Sequence, residues 1–162
     1  MKVANKGVNG DLTSQMLLRF RGDVVGLEPD YVIVLGGAND IGWGVLIEET
    51  LANIREMFEA AADNGIKSIG CTVPPILSWN EGISPRLSLN TLLKQLCQEK
   101  KALCVDLFAA TCNPATKRLR VDYSSDGLHL NTAGYRKIAE TVFTGAMRPI
   151  LIGELDKKRF HV

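Results

Sequence analysis

Tyr31-Val32-Ile33-Val34-Leu35-Gly36-Gly37-Ala38-Asn39-Asp40 is the stretch from which the fold reads most directly. Five consecutive apolar residues, two valines and an isoleucine among them, stop at two glycines. Such a run reads as a strand buried on both faces, which belongs to a sheet covered by helices. The flanking chain supplies those helices. Toward the N-terminus, Leu12, Met16, Leu17, Phe20 and Val24 recur at helical spacing. Asp11 or Thr13 is placed to cap them, and Gly26 and Pro29 break the helix before the strand. Further back, Lys2 to Val8 reads as a short strand ending at Gly10. Toward the C-terminus, a helix from about Val45 to Asn64 presents Ile47, Leu51, Ile54, Phe58 and Ala61 on one face. Glu48 and Glu49 fall in its first turn, where carboxylates favour the helix dipole, and Gly65 is placed for a left-handed cap.

Beyond that helix the alternation continues. Ile66 to Val73 reads as a strand stopped by Pro74-Pro75, and a loop rich in Ser, Gly and Pro runs to about Pro85. Leu89, Leu92, Leu93, Leu96 and Cys97 mark the next helix, and Ala102 to Leu107 the next strand. The last helix is capped by Asn131, carries Tyr135, Ile138, Ala139, Val142, Phe143 and Ala146 on one face, and ends at Pro149. Residues 149–162 read as a solvated tail, or an edge strand at most. Strand and helix alternate four times without repeat or linker. That pattern predicts one α/β domain over residues 1–148, with a mostly parallel sheet and right-handed crossovers.

Composition narrows the function classes. The 162 residues hold 19 Lys+Arg against 18 Asp+Glu, a formal net charge of +1, so no electrostatic reason points to nucleic acid or an acidic lipid surface. With 46% hydrophobic and 23% charged residues the chain reads as soluble and globular, and no apolar run reaches the ~20 residues that span a bilayer. The start, Met1-Lys2-Val3-Ala4-Asn5, is not a secretory signal, which leaves the cytoplasm as the default location. None of Cys71, Cys97, Cys104 and Cys112 sits two residues from another, and His129 and His161 are too few for a zinc site with scattered thiols. No metal, disulfide or cofactor is expected.

Ligands of parallel sheets bind beyond the carboxyl ends of the strands. Gly10-Asp11 follows the first predicted strand, and Gly36-Gly37-Ala38-Asn39-Asp40 follows the second. Asp126-Gly127-Leu128-His129-Leu130-Asn131 precedes the last helix. One turn can bring the Asp126 carboxylate to Nδ1–H of His129, leaving Nε2 as a general base. The Gly10 N–H and the Asn39 amide can form an oxyanion hole, worth roughly 3–4 kcal/mol of barrier per donor. These parts suit acyl transfer from a small ester. Trp43 is placed either to line an acyl or alcohol pocket or to pack on the next helix; Pro74, Pro75 and Ile76 form a candidate second wall.

The arrangement resembles the SGNH hydrolases, the GDSL family of esterases and lipases, over nearly the whole chain. Asn5-Lys6-Gly7-Val8-Asn9-Gly10-Asp11 looks like the block with the family's oxyanion glycine, here Gly10. Gly36-Gly37-Ala38-Asn39-Asp40 looks like the block with its oxyanion asparagine, here Asn39. Asp126-Gly127-Leu128-His129 looks like the block with the catalytic Asp and His. The resemblance implies a flavodoxin-like three-layer α/β/α fold, no metal, and hydrolysis of esters or thioesters, of acyl chains or acetylated sugars, through a serine acyl-enzyme.

The family's first block, a strand followed by Gly-Asp-Ser-Leu, is absent. Gly10-Asp11-Leu12-Thr13-Ser14 is not that block, because Lys2-Val3-Ala4-Asn5-Lys6 before it is too polar for a buried central strand. Ser78, Ser84, Ser88, Ser124 and Ser125 do not sit on a sharp turn after a strand of their own, and Cys71 lies within a predicted strand. Three explanations compete: a further β–α unit upstream of these residues, a partner that supplies the serine strand, or a non-catalytic relative that binds a ligand or pairs with another subunit. The resemblance places the absent strand between Lys2–Val8 and the strand at Tyr31, where its loss would leave backbone groups unpaired, which favours the first explanation. Within the chain the tail around Pro149–Leu155, or a copy of it exchanged from a second molecule, is the candidate to fill the slot.

Overall fold

A computed structural model of the chain describes residues 2–159. Three strands pair in parallel in the order β1 (Tyr31–Val34), β2 (Lys67–Cys71) and β3 (Leu103–Val105). Ile33 of β1 stands opposite Ile69 of β2, which stands opposite Leu103 of β3, so apolar side chains line up across the sheet. Helices cover both faces. On one, α1 (Thr13–Asp23), α3 (Ile47–Asp63) and α4 (Ile83–Glu99) meet the sheet through Phe20, Val34, Ile54, Met57, Phe58, Leu93 and Leu96. On the other, Ile138 and Val142 of α6 (Thr132–Val142) and Ala146 just beyond it close over Ile69, Cys71 and Val105. The expected three-layer α/β architecture is thus present, built on three strands.

Local chemistry explains most element boundaries. Glu48 and Glu49 occupy the first turn of α3, and Gly65 takes φ +73° just past its end. The Asn131 side chain accepts the Gly134 N–H at 3.0 Å and so caps α6. Asp106 does the same for the short helix α5 (Leu107–Thr111), accepting the Ala109 N–H at 3.0 Å.

Three expectations are corrected, and one short helix is added. Lys2 to Val8 is not a strand: it is exposed, carries no ladder hydrogen bonds and lies along α1, where Arg19 Nη1 donates to the Lys6 carbonyl at 2.7 Å. A strand forms only where a neighbour pairs with it, and this polar segment has none among the described residues. The cap of α1 is neither Asp11 nor Thr13 but Leu12, because the Asp11 carboxylate pairs with Arg19 at 2.8 Å. The helix expected over 45–64 is preceded by a separate short one, α2 (Ala38–Trp43), ended by Gly44 at φ +72°. Finally, Pro149 does not stop the last helix. A π-type turn over Phe143–Met147, in which the Arg148 N–H reaches the Phe143 carbonyl, leads directly into α7 (Arg148–Arg159). Proline fits the first turn of a helix, where its missing N–H is not needed. The tail is therefore a helix, not an edge strand, with Pro149, Ile152 and Gly153 exposed as a solvated end would have them, and it does not fill the slot beside β1; His161 lies outside the described residues.

That slot is visible as a free edge. Strand β1 has β2 as its neighbour on one side and no strand among the described residues on the other. Ile33 is 43% exposed and Leu35, just past the strand, 41%, although both belong to a run that reads as buried.

Candidate active site

The two halves of the site are built separately at the carboxyl ends of the strands. The first half begins where β1 ends. Gly37 takes φ +104° to open α2, and a Cβ there would crowd Leu89 and Thr50. The turn leaves Asn39 half-buried, and its Nδ2 donates to the Asp11 carbonyl at 2.9 Å. Gly10, at φ +85° with open space where a Cβ would lie, therefore sits one residue from the group that Asn39 holds. The structure brings Gly10–Asp11 and Asn39 together.

Asp40 fixes that junction, a role that sequence reading missed. It is 1% exposed, and its carboxylate receives the Thr13 N–H at 3.1 Å on each oxygen and the Thr13 hydroxyl at 2.5 Å. Asn53 Nδ2 in turn donates to the Thr13 hydroxyl at 3.0 Å. The carboxylate thus satisfies a backbone donor at the start of α1 and locks the Gly10 loop against α2.

The second half is a tight turn before α6. His129 Nδ1 lies 2.6 Å from Asp126 Oδ2, while Asp126 Oδ1 accepts the backbone N–H of Leu128 at 2.8 Å and of His129 at 2.7 Å. The imidazole, followed by these two N–H donors, holds the Asp126 carboxyl well below the usual carboxylate range. His129 Nε2 makes no hydrogen bond among the described residues, and the side chain is mostly exposed. Ser124 is committed to the turn: its hydroxyl donates to the His129 carbonyl at 2.6 Å and accepts the Gly127 N–H at 2.9 Å.

The loop after β2 supports this turn. Leu77 and Ser78 both donate their N–H to the Gly127 carbonyl, at 3.1 and 3.0 Å, and Gly127 is at φ +80° with Ser78 where a Cβ would be. No hydrogen bond joins the Gly10–Asn39 half to the Asp126–His129 half. Trp43 is 80% exposed at the end of α2, and Pro75 is buried beneath the loop. Trp79, which the sequence reading did not single out, instead packs against the cluster of Ile41, Val73 and Leu89 between the two halves. Its signal was an aromatic in a polar loop directly after a strand. Among the described residues no three His, Cys, Asp or Glu side chains cluster to hold a metal, and no helix is long and apolar enough to cross a membrane.

Comparison with known proteins bears out the resemblance. Residues 1–137 match the model of the GDSL-like lipase/acylhydrolase family. A curated acetylxylan esterase of Geobacillus stearothermophilus is 25% identical over 153 residues, covering 86% of this chain and 69% of that protein. The crystal structure of a GDSL-like lipase from Bacteroides thetaiotaomicron superposes with a TM-score of 0.82 at 27% identity, covering 89% of this chain and 75% of the other. The structure of an acetylxylan esterase from Geobacillus stearothermophilus superposes with a TM-score of 0.75 at 23% identity, covering 88% and 71%.

Proposed function

Because the chain belongs to the GDSL-like lipase/acylhydrolase family, we propose that it forms the larger part of a serine ester hydrolase in which His129 is the general base, Asp126 orients it, and the Gly10 N–H and Asn39 amide stabilise the oxyanion. The observation that carries this reading is the 2.6 Å Asp126–His129 contact with Nε2 left free. A carboxylate on Nδ1 fixes the tautomer in which Nε2 is the proton acceptor, and stabilises the imidazolium formed when it takes the serine proton. The substrate is a small ester; the similarity to an acetylxylan esterase supports an acetylated saccharide.

In this reading the nucleophilic serine belongs to a further strand outside the 162 residues, laid parallel along the free edge of β1. The support is physical: unpaired backbone on β1, with Ile33 and Leu35 exposed beside it. Ser124, held by the turn, is not the nucleophile. The alternative, a binding or subunit-pairing module with a degenerate site, draws on the same absence of a serine hydroxyl at Nε2.

Labelling the protein from its native source with a fluorophosphonate, then mapping the labelled peptide, separates these readings. We expect one labelled serine outside the 162 residues. We also expect p-nitrophenyl acetate hydrolysis that His129→Ala lowers by about 10⁴-fold or more. A label on Ser124, or hydrolysis indifferent to His129→Ala, overturns the assignment; no label and no hydrolysis favours the binding module.

A further inference from the structure

Two of the four cysteines meet where α4 lies across β2 and β3. Cys97, near the C-terminal end of α4, is buried, and Cys104, in the outer strand β3, is exposed. In the parallel register Cys104 stands opposite Gly70, so the two residues face the same side of the sheet. That is the side α4 covers. A Cβ on Gly70 would lie 2.5 Å from the Cys97 Sγ, so this sulfur fills the space that glycine leaves beside Cys104. The return from α4 to β3 is short and fixed, with the Ala102 N–H donating to the Cys97 carbonyl at 2.8 Å. A spacing of seven residues announces no pair; the sheet register makes one.

The other thiols are placed elsewhere. Cys71 follows Gly70 and so points to the opposite face, where it packs with Val105 and Ala146, and burial pushes its thiol up to about 12. Cys112 ends α5, with its Sγ 3.8 Å from the Ala109 carbonyl. Within the pair the two thiols differ. The Cys97 thiol, donating to the Cys104 sulfur, lowers the Cys104 pKa, and Lys94 of α4 acts in the same sense against burial and the Asp106 carboxylate. The same contact and burial push Cys97 up. Cys104 is thus the thiol that ionises first and the one that a reagent reaches. Once the Cys104 sulfur is capped, the contact that raises Cys97 most is gone.

We propose that Cys97 and Cys104 form a redox-active dithiol, which a small organic disulfide such as oxidised glutathione converts into a Cys97–Cys104 bond. The Cys104 thiolate attacks one sulfur of the reagent, forming a mixed disulfide and releasing one thiolate. The Cys97 sulfur then attacks the Cys104 sulfur, releases the second thiolate and passes its proton to it. In all, the protein gives up two electrons and two protons, and the reagent leaves as two thiols. No binding cavity is needed, because the new bond joins sulfurs that already face one another and the reagent meets Cys104 on the exposed outer strand. The product ties α4 to β3 covalently. The site is independent of the ester-hydrolase reading.

Excess oxidised glutathione added to the reduced full-length protein, followed by acid quenching and mass measurement, tests the pair. The expected product is lighter by two hydrogens and retains no glutathione. Its tryptic map should join Gln95–Lys100 to Ala102–Lys117 through Cys97 and Cys104, with fragmentation separating Cys104 from Cys112. Cys97→Ser should stop the reaction halfway, at a stable mixed disulfide on Cys104. Cys97→Ala, which places no hydroxyl in the core, carries the same expectation. In Cys104→Ser, glutathione should add to Cys97 about tenfold or more slowly than to Cys104 in Cys97→Ser, because the remaining thiol is buried. A stable glutathione adduct on Cys104 of the unaltered protein overturns the proposal. So does a bond that uses Cys71 or Cys112, or recovery of Cys97 and Cys104 as free thiols. Equal rates of addition in the two serine variants overturn the order of attack.

Discussion

Asp126 accepts hydrogen bonds that all arise within three residues of it: the Leu128 and His129 N–H groups on one oxygen, and the His129 ring on the other. The turn therefore aims the imidazole with no help from a distant element, and its stability against acid follows from the same contacts. A carboxyl whose folded pKa lies below its unfolded value contributes stability above the unfolded pKa, and that contribution is lost only as pH falls through the lower, folded one. Carboxyl ¹³C shifts followed through the ordinary carboxylate range should show Asp126 still ionised where exposed acids have titrated. Asp126→Asn keeps an oxygen for the two backbone donors but cannot hold the charged ring, so the fold should persist while kcat falls about 10⁴-fold. Two glycines give a second contrast. Gly10→Ala meets only left-handed strain in open space and should cost about 1–2 kcal/mol in urea unfolding. Gly127→Ala meets the same strain plus Ser78, so it should cost more and release the two N–H bonds that brace the turn.

At the scale of elements, what the sequence made legible was what local chemistry decides. The apolar run at Tyr31–Leu35, the dipole-favouring Glu48 and Glu49, and the cap at Asn131 needed no knowledge of the rest of the fold. Strand Lys2–Val8 was misread because strand formation is a property of a pair, and this polar segment has no partner among the described residues. Pro149 was misread because a π-type turn upstream lets proline begin a helix as well as end one. Asp40 and Trp79 were overlooked for a common reason: their roles arise from tertiary contacts that no periodicity announces. Asp40 shows how much such a contact holds. Asp40→Ala would leave the Thr13 N–H buried without an acceptor and free the start of α1 from α2. Urea unfolding should shift by about 2–4 kcal/mol, and the first-turn amides of α1 should exchange faster. Retained protection of those amides would assign the docking of α1 to packing alone.

For the whole molecule the decisive feature is the free edge of β1. A parallel sheet with helices on both faces normally buries every strand but its outermost, and outermost strands are kept short, polar or covered. Here β1 carries Val32, Ile33 and Val34, and Ile33 is 43% exposed; away from that edge, Tyr135 on α6 and Phe143 in the π-type turn beside β3, expected to face the core, are 62% and 48% exposed. Buried patterning around an open edge fits a molecule whose sheet continues in another segment, and the solved relatives, longer than this chain, share the layers that it does contain. Hydrogen exchange tests this without reference to activity. In the 162-residue chain, the β1 amides facing away from β2 should exchange almost as freely as those of an exposed loop, while those bonded to β2 remain protected. In the protein from its native source both sets should be protected, because the added strand takes up the outer donors. Outer amides that exchange equally fast in both would mean that β1 is a true edge, and that the nucleophile, if there is one, reaches His129 by another route.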